Sequence, residues 1–155
     1  MSAYERLAVD IVILAAVIAA ANPVETGLGV HEWIGLSLTV PALVHLVVNW
    51  DWVARAVGQF FRRAKAMPRV NLIVDAGLFV SLVGVTLSGL LVVPGLAASL
   101  GVNASGAWHS VHLITSDFTV AFTVAHLALH ARWIVDVGRR MVGSASSGLT
   151  ATESR

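Results

Sequence analysis

Long apolar runs alternate with short polar connections along this chain. Four runs stand out: Leu7–Ala21, Val30–Trp52, Val70–Val93 and Ala107–Val135. A helix needs about 17–25 apolar residues to cross the hydrocarbon core of a bilayer, and the first run reaches that length only if Tyr4 to Arg6 extend it. The expected fold is all-α, a membrane four-helix bundle made of two repeated helical hairpins.

The repeat is read from the polar residues that interrupt the runs. Val9-Asp10 matches Val74-Asp75, and Thr26-Gly27 matches Ser88-Gly89. His31 matches His112, and the segment from His45 to Val53 lines up with that from His126 to Ile134. Each half, about 4–54 and 70–136, is a hairpin: a span with an early aspartate and no histidine, then a span carrying two histidines at matching positions, to which the second half adds His109 and His130. Both copies run in the same direction, so the second and fourth spans are parallel. Residues 1–142 read as one four-span domain, and the small, polar residues 143–155 as a disordered tail.

The histidine spacing points to chemistry. His31 and His45 are fourteen residues apart, as are His112 and His126. At about 100° and 1.5 Å per residue, such a step returns to within roughly 40° of the same face, about 21 Å along the axis. Two parallel helices then offer an outer pair, His31 and His112, and an inner pair, His45 and His126. This is the arrangement that clamps two b-type haems at two depths. Two axial imidazoles leave no open iron position, which suits one-electron transfer rather than binding of oxygen or substrate. An isolated intramembrane histidine can instead bond a neighbouring carbonyl; two matched pairs favour ligation.

Other polar residues are secondary candidates. Asp10 and Asp75 either bond the neighbouring helix or carry protons at a quinone pocket. Asp117 is a candidate support for a ligand or propionate at the outer site. Gly35 either admits a macrocycle or serves close helix packing. His130, one turn below His126, is a candidate for a propionate bond or a quinol proton, and otherwise an interfacial residue. His109, beside Trp108, reads as interfacial.

Composition narrows the class. Of 155 residues 57% are hydrophobic and only 12% charged, with a mean hydropathy of +0.80, against about 45–50% and 25% in soluble domains. The absence of cysteine excludes thiolate-bound clusters, covalent haem attachment and disulfides. The near-neutral balance of +1 gives no sign of nucleic acid as a partner. Basic residues cluster at Arg6, at Arg55, Arg62, Arg63, Lys65 and Arg69, and at Arg132, Arg139 and Arg140, whereas Asn22–Gly29 and Pro94–Gly106 hold none. The positive-inside rule therefore puts both termini and the middle loop in the cytoplasm. Trp33 and Trp108 fall at the outer boundary, and Trp50, Trp52 and Trp133 at the inner one, as lipid anchors. The segment from Val53 to Arg63 is basic and amphipathic and suits the anionic inner leaflet. The first run ends Ala19-Ala20-Ala21 as a secretory signal does, but Glu5 and Asp10 and its place in the repeat mark a retained span.

The segments Trp108–His112, His126–Ile134, Asn71–Asp75 leading to Ser88-Gly89, His31–Gly35 and His45–Trp50 resemble the flavinylation-associated cytochrome family, long catalogued as a domain of unknown function. The likeness covers about residues 7–134. It implies a four-helix, di-haem b-type cytochrome of a bacterial cytoplasmic membrane, with His31, His45, His112 and His126 as axial residues. It also implies transfer of electrons from quinol or a cytoplasmic donor to an extracytoplasmic flavoprotein or other redox protein. Asn49 stands where the second half has His130. Such a chain is a non-catalytic electron-transfer subunit, unless it oxidises quinol itself. The alternative class is a histidine-lined protein that transports or senses metal or haem, although Pro41 is the only proline inside a span, and transporters commonly break helices near the midplane.

Overall fold

The computed structural model describes residues 2–60, 66–103 and 106–153, and every regular element among them is helical. Helix α1 (Ala3–Ala20) starts at a capping box: Ser2 Oγ accepts from the Glu5 amide, and the Glu5 carboxylate accepts from the Ser2 amide at 2.8 Å. A single turn, α2 (Pro23–Thr26), follows. Gly27 then reverses the chain at φ 85°, a backbone angle that side chains disfavour.

Helices α3 (Leu28–Ser37) and α4 (Thr39–Val48) are joined through Leu38, which keeps helical angles of −60° and −25°. Pro41 has no amide to return to Ser37, so the ladder loosens there, yet Leu38 still bonds Ile34 at 2.9 Å and Ala42 bonds Leu38 at 3.1 Å. The pair is one apolar rod, Leu28–Val48, rather than two separate helices. After Asn49 leaves helical geometry, the amphipathic α5 (Trp50–Phe60) begins. Trp50 and Trp52 therefore belong to a separate element, not to the end of the second span. The basic continuation Arg62, Arg63 and Lys65 lies outside the described residues. Helix α6 (Ala66–Val92), a short α7 (Pro94–Ser99) and the long α8 (Gly106–Glu153) complete the chain. Helix α8 continues over residues 143–153, where composition suggests disorder; no proline interrupts it there.

Three stretches are long and apolar enough to cross a membrane: Leu28–Val48, Met67–Val92 and Gly106–Arg140. The first apolar run is not among them. Its helix has 18 residues, about 27 Å at the usual rise, and three of them are charged: Glu5, Arg6 and Asp10.

Helix α6 packs along α8, and α1 along α3 and α4; α1 also touches α8, α3 touches α6, and α5 lies on α6. Small residues make the α6–α8 contact possible. Gly77, Ser81, Gly84 and Ser88 follow one face of α6, and Ser81, Ser88 and Thr119 are buried. A Cβ on Gly77 would lie 2.5 Å from Phe122 Cζ, and one on Gly84 2.9 Å from Thr115 Cγ2. The buried hydroxyls bond their own helices, Ser88 to Gly84 O at 2.6 Å and Thr119 to Thr115 O at 2.7 Å. They are thus satisfied without water. Large apolar side chains such as Ile11, Val12, Val40, Val47, Ile73, Val80 and Val124 point outward. Small groups inside and large apolar groups outside is the pattern of helices packed in lipid, where close backbone approach replaces a hydrophobic core.

Candidate functional site: two stacked histidine pairs

The α3–α4 rod presents His31, Leu38 and His45 at seven-residue steps, and α8 presents His112, Thr119 and His126 at the same steps. Seven residues fall about 20° short of two full turns, so each trio shares a face. The two faces meet. His31 and His112 approach with ring centres 5.9 Å apart and planes at 89°. His45 and His126 do so at 6.3 Å and 73°. Leu38 and Thr119, midway between the levels, are both buried. The structure thus brings together the histidines that the spacing paired, and the two rods run parallel.

Each ring is held from behind by α1 or α6. The Nδ1–H of His31 donates to Ala20 O at 2.7 Å, and that of His112 to Val85 O at 3.0 Å. The Nδ1–H of His45 donates to Asp10 Oδ1, and that of His126 to Asp75 Oδ1, both at 2.6 Å. Asp10 and Ala20 are ten residues apart on α1, as are Asp75 and Val85 on α6. The acceptors behind the rings are thus spaced alike on the two helices. A carbonyl can only accept, so the proton of His31 and of His112 sits on Nδ1 and the Nε2 lone pair is free. The carboxylates select the same tautomer for the other two. Fixing one ring nitrogen while leaving the other as a ligand is how proteins orient metal-binding histidines.

The spacing would admit a metal ion between the rings. A metal–imidazole bond of about 2 Å, plus about 1.1 Å from the nitrogen to the ring centre, doubled, gives roughly 6.2 Å between ring centres. Gly35, one turn from His31, has nothing within 4 Å of where a Cβ would sit, so the space beside that ring is open. Gly89 serves the other helix: a Cβ there would stand 3.1 Å from His112 Cε1. Glycine lets the ring lie against α6.

The secondary candidates divide. Asp10 and Asp75 bond the histidines themselves, a more specific role than the helix-to-helix bond or quinone chemistry expected of them. Asp117 is exposed, and five residues from His112 place it about 140° round the helix. It does not join the outer pair. His109 is exposed as well. His130 lies against the inner pair, its ring centre 4.6 Å from that of His126 and 6.0 Å from that of Trp52. Its Nε2 is buried with no hydrogen-bond partner. Asp75, His126 and His130 offer ligand atoms within 4.8 Å of one another. At the matching place in the first half, Asn49 donates to His45 O at 2.9 Å and accepts from Arg6 at 3.4 Å. A cavity of about 210 Å³ opens beside Trp52, Ala56, Met67, Pro68 and Asn71; Asp10, Asp75 and His130 do not line it.

Sequence reasoning missed the carbonyls of Ala20 and Val85, since a backbone acceptor carries no side-chain signal. It had the signal for the aspartates, their matched positions, without the partner. Comparison of the chain with known protein families, curated proteins and solved structures finds no match.

Proposed function

We propose that this chain is a membrane b-type cytochrome that carries electrons across the bilayer through two bis-histidine haems. In this reading α1, the α3–α4 rod, α6 and α8 form a four-helix bundle of two repeated hairpins, like the flavinylation-associated cytochromes it resembles. One observation carries the reading: two facing histidine pairs at metal-bridging separation, every Nδ1 occupied by an acceptor and every Nε2 left for a ligand bond.

The residues divide the work. His31 and His112 hold the outer group, and His45 and His126 the inner one. Haem b bound between such pairs supplies one-electron exchange at iron without an open coordination position. Ala20 O, Val85 O, Asp10 and Asp75 keep the rings from turning. Leu38 and Thr119 fill the space between the levels, so the two pairs stay a fixed fourteen residues, about 21 Å, apart along the rods. The clustering of basic residues supports an orientation with the His45/His126 level toward the cytoplasm. The donor is quinol or a cytoplasmic reductant, and the acceptor a separate extracytoplasmic redox protein such as a flavoprotein.

Pyridine haemochrome analysis with reduced-minus-oxidised spectra on the purified protein tests this. The expected result is two low-spin b haems per chain, falling to one in His45→Ala or His126→Ala. Absence of haem under adequate haem supply would refute the reading. The cluster of Asp75, His126 and His130 favours a second reading, a transition-metal site in a metal-handling protein. That site would bind its ion without His45, whereas haem at the same level requires His45.

A further inference from the structure

The two levels are built alike in geometry but differ in charge. At the His31/His112 level both acceptors behind the rings are neutral carbonyls, and at the His45/His126 level both are carboxylates. We infer that Asp10 and Asp75 give the His45/His126 site a lower reduction potential than the His31/His112 site, which directs electrons from that level to the other. This rests on the haem reading above.

The argument runs through charge and basicity. A carboxylate at 2.6 Å draws the Nδ1 proton toward itself and makes the opposite nitrogen a stronger donor to a metal. Each carboxylate also adds a negative charge one imidazole away from the bound iron. Both effects favour ferric over ferrous iron, and both act on the same level, twice. Second-shell hydrogen bonds and net charge are the levers that set haem potentials when the axial ligands are the same. The neutral carbonyls at the other level exert the weaker, dipolar form of the first effect and none of the second. Arg6, one turn from Asp10, turns its guanidinium to Asn49. Glu32, next to His31, is exposed, where its charge is screened.

The step this poises is a single electron. A haem held by His45 and His126 would give up one electron, and one held by His31 and His112 would take it up. No covalent bond forms or breaks, and the Nδ1 protons stay on their rings. With the basic loops in the cytoplasm, the direction is outward, toward an extracytoplasmic acceptor.

The test is an optical redox titration of the haem-loaded, full-length protein in detergent, with haem content measured on the same sample. Wild type should titrate in two steps. Asn keeps the Oδ1 acceptor and removes only the charge, so Asp10→Asn and Asp75→Asn should each retain two haems while the lower midpoint rises toward the higher. The double variant should bring the two steps close to one. Independently, His112→Ala should leave a single haem whose midpoint equals the lower wild-type value. A remaining midpoint equal to the higher value would overturn the proposal, even if the Asp variants fail to accumulate. So would a lower step unmoved by both Asn substitutions. A wild-type chain without haem would refute the underlying reading instead, and the proposal with it.

Discussion

Replacing Gly77 with alanine tests the packing that holds the inner histidine pair. A methyl at this position would meet three atoms of the Phe122 ring at 2.5, 2.7 and 2.8 Å, where ordinary contact begins at 3.4 Å. Something must move by about 0.9 Å. Phe118 stacks beside that ring, with centres 6.2 Å apart and planes 25° from parallel. Separation of α6 from α8 is the expected response, and Asp75 and His126 lie within one turn of the wedge. A shift of that size would stretch their 2.6 Å bond to about 3.5 Å, at the limit of hydrogen bonding. Overpacking of this kind costs about 1–3 kcal/mol, whereas alanine for glycine in an unhindered helix stabilises by about 0.5–1 kcal/mol. Equilibrium unfolding in detergent should therefore show Gly77→Ala destabilised, and the same change stabilising in a Phe122→Ala background. Gly58→Ala, with nothing within 4 Å of its Cβ, is the control. Haem analysis should show the inner site losing occupancy before the outer one. If Gly77→Ala stabilises the protein as much as Gly58→Ala does, the close α6–α8 contact is wrong.

Further outcomes follow from the same geometry. Gly35→Leu should leave the stability of the haem-free protein unchanged and lower outer-site haem content, because the added side chain enters space that is otherwise open; equal haem content in the variant and wild type would count against a macrocycle beside His31. Asp117→Asn and His109→Ala should keep both haems and both midpoints, measured by haemochrome and redox titration, since neither residue reaches a pair. Gly89→Ala should perturb only the outer site, since its Cβ would press on His112 at 3.1 Å; the ferric low-spin electron paramagnetic resonance signal of that haem should shift while the inner one stays. Ion binding by isothermal titration on haem-free protein separates the metal-site reading: it should vanish in His130→Ala and persist in His45→Ala only if Asp75, His126 and His130 form a metal centre.

Much of this arrangement was legible in the chain because helix angle and rise are nearly constant. Once the apolar runs are helices, a fourteen-residue step fixes both the shared face of His31 and His45 and their separation along the axis. The same holds for His112 and His126. The repeat then sets the depth match without any knowledge of packing. The first run was less legible: length and apolar character suggest a span, yet Glu5, Arg6 and Asp10 place α1 outside the helices that qualify on composition. The end of the second run was also obscured, since Asn49 closes α4 and a different helix starts at Trp50, while Trp50 and Trp52 continue the aromatic and apolar run past it.

The sequence by itself thus determined the helical class, the membrane-like surface and the pairing of the histidines, all consequences of local periodicity. Only the tertiary structure decided what stands behind each imidazole. That depends on how α1 and α6 are rotated against the histidine helices, which no spacing along one helix gives; for α6, the small volumes at Gly77, Gly84 and Gly89 allow the close approach to α8. The same rotation places a carboxylate behind each inner ring and a bare carbonyl behind each outer one. The difference in charge between the two levels is therefore a property of the packing.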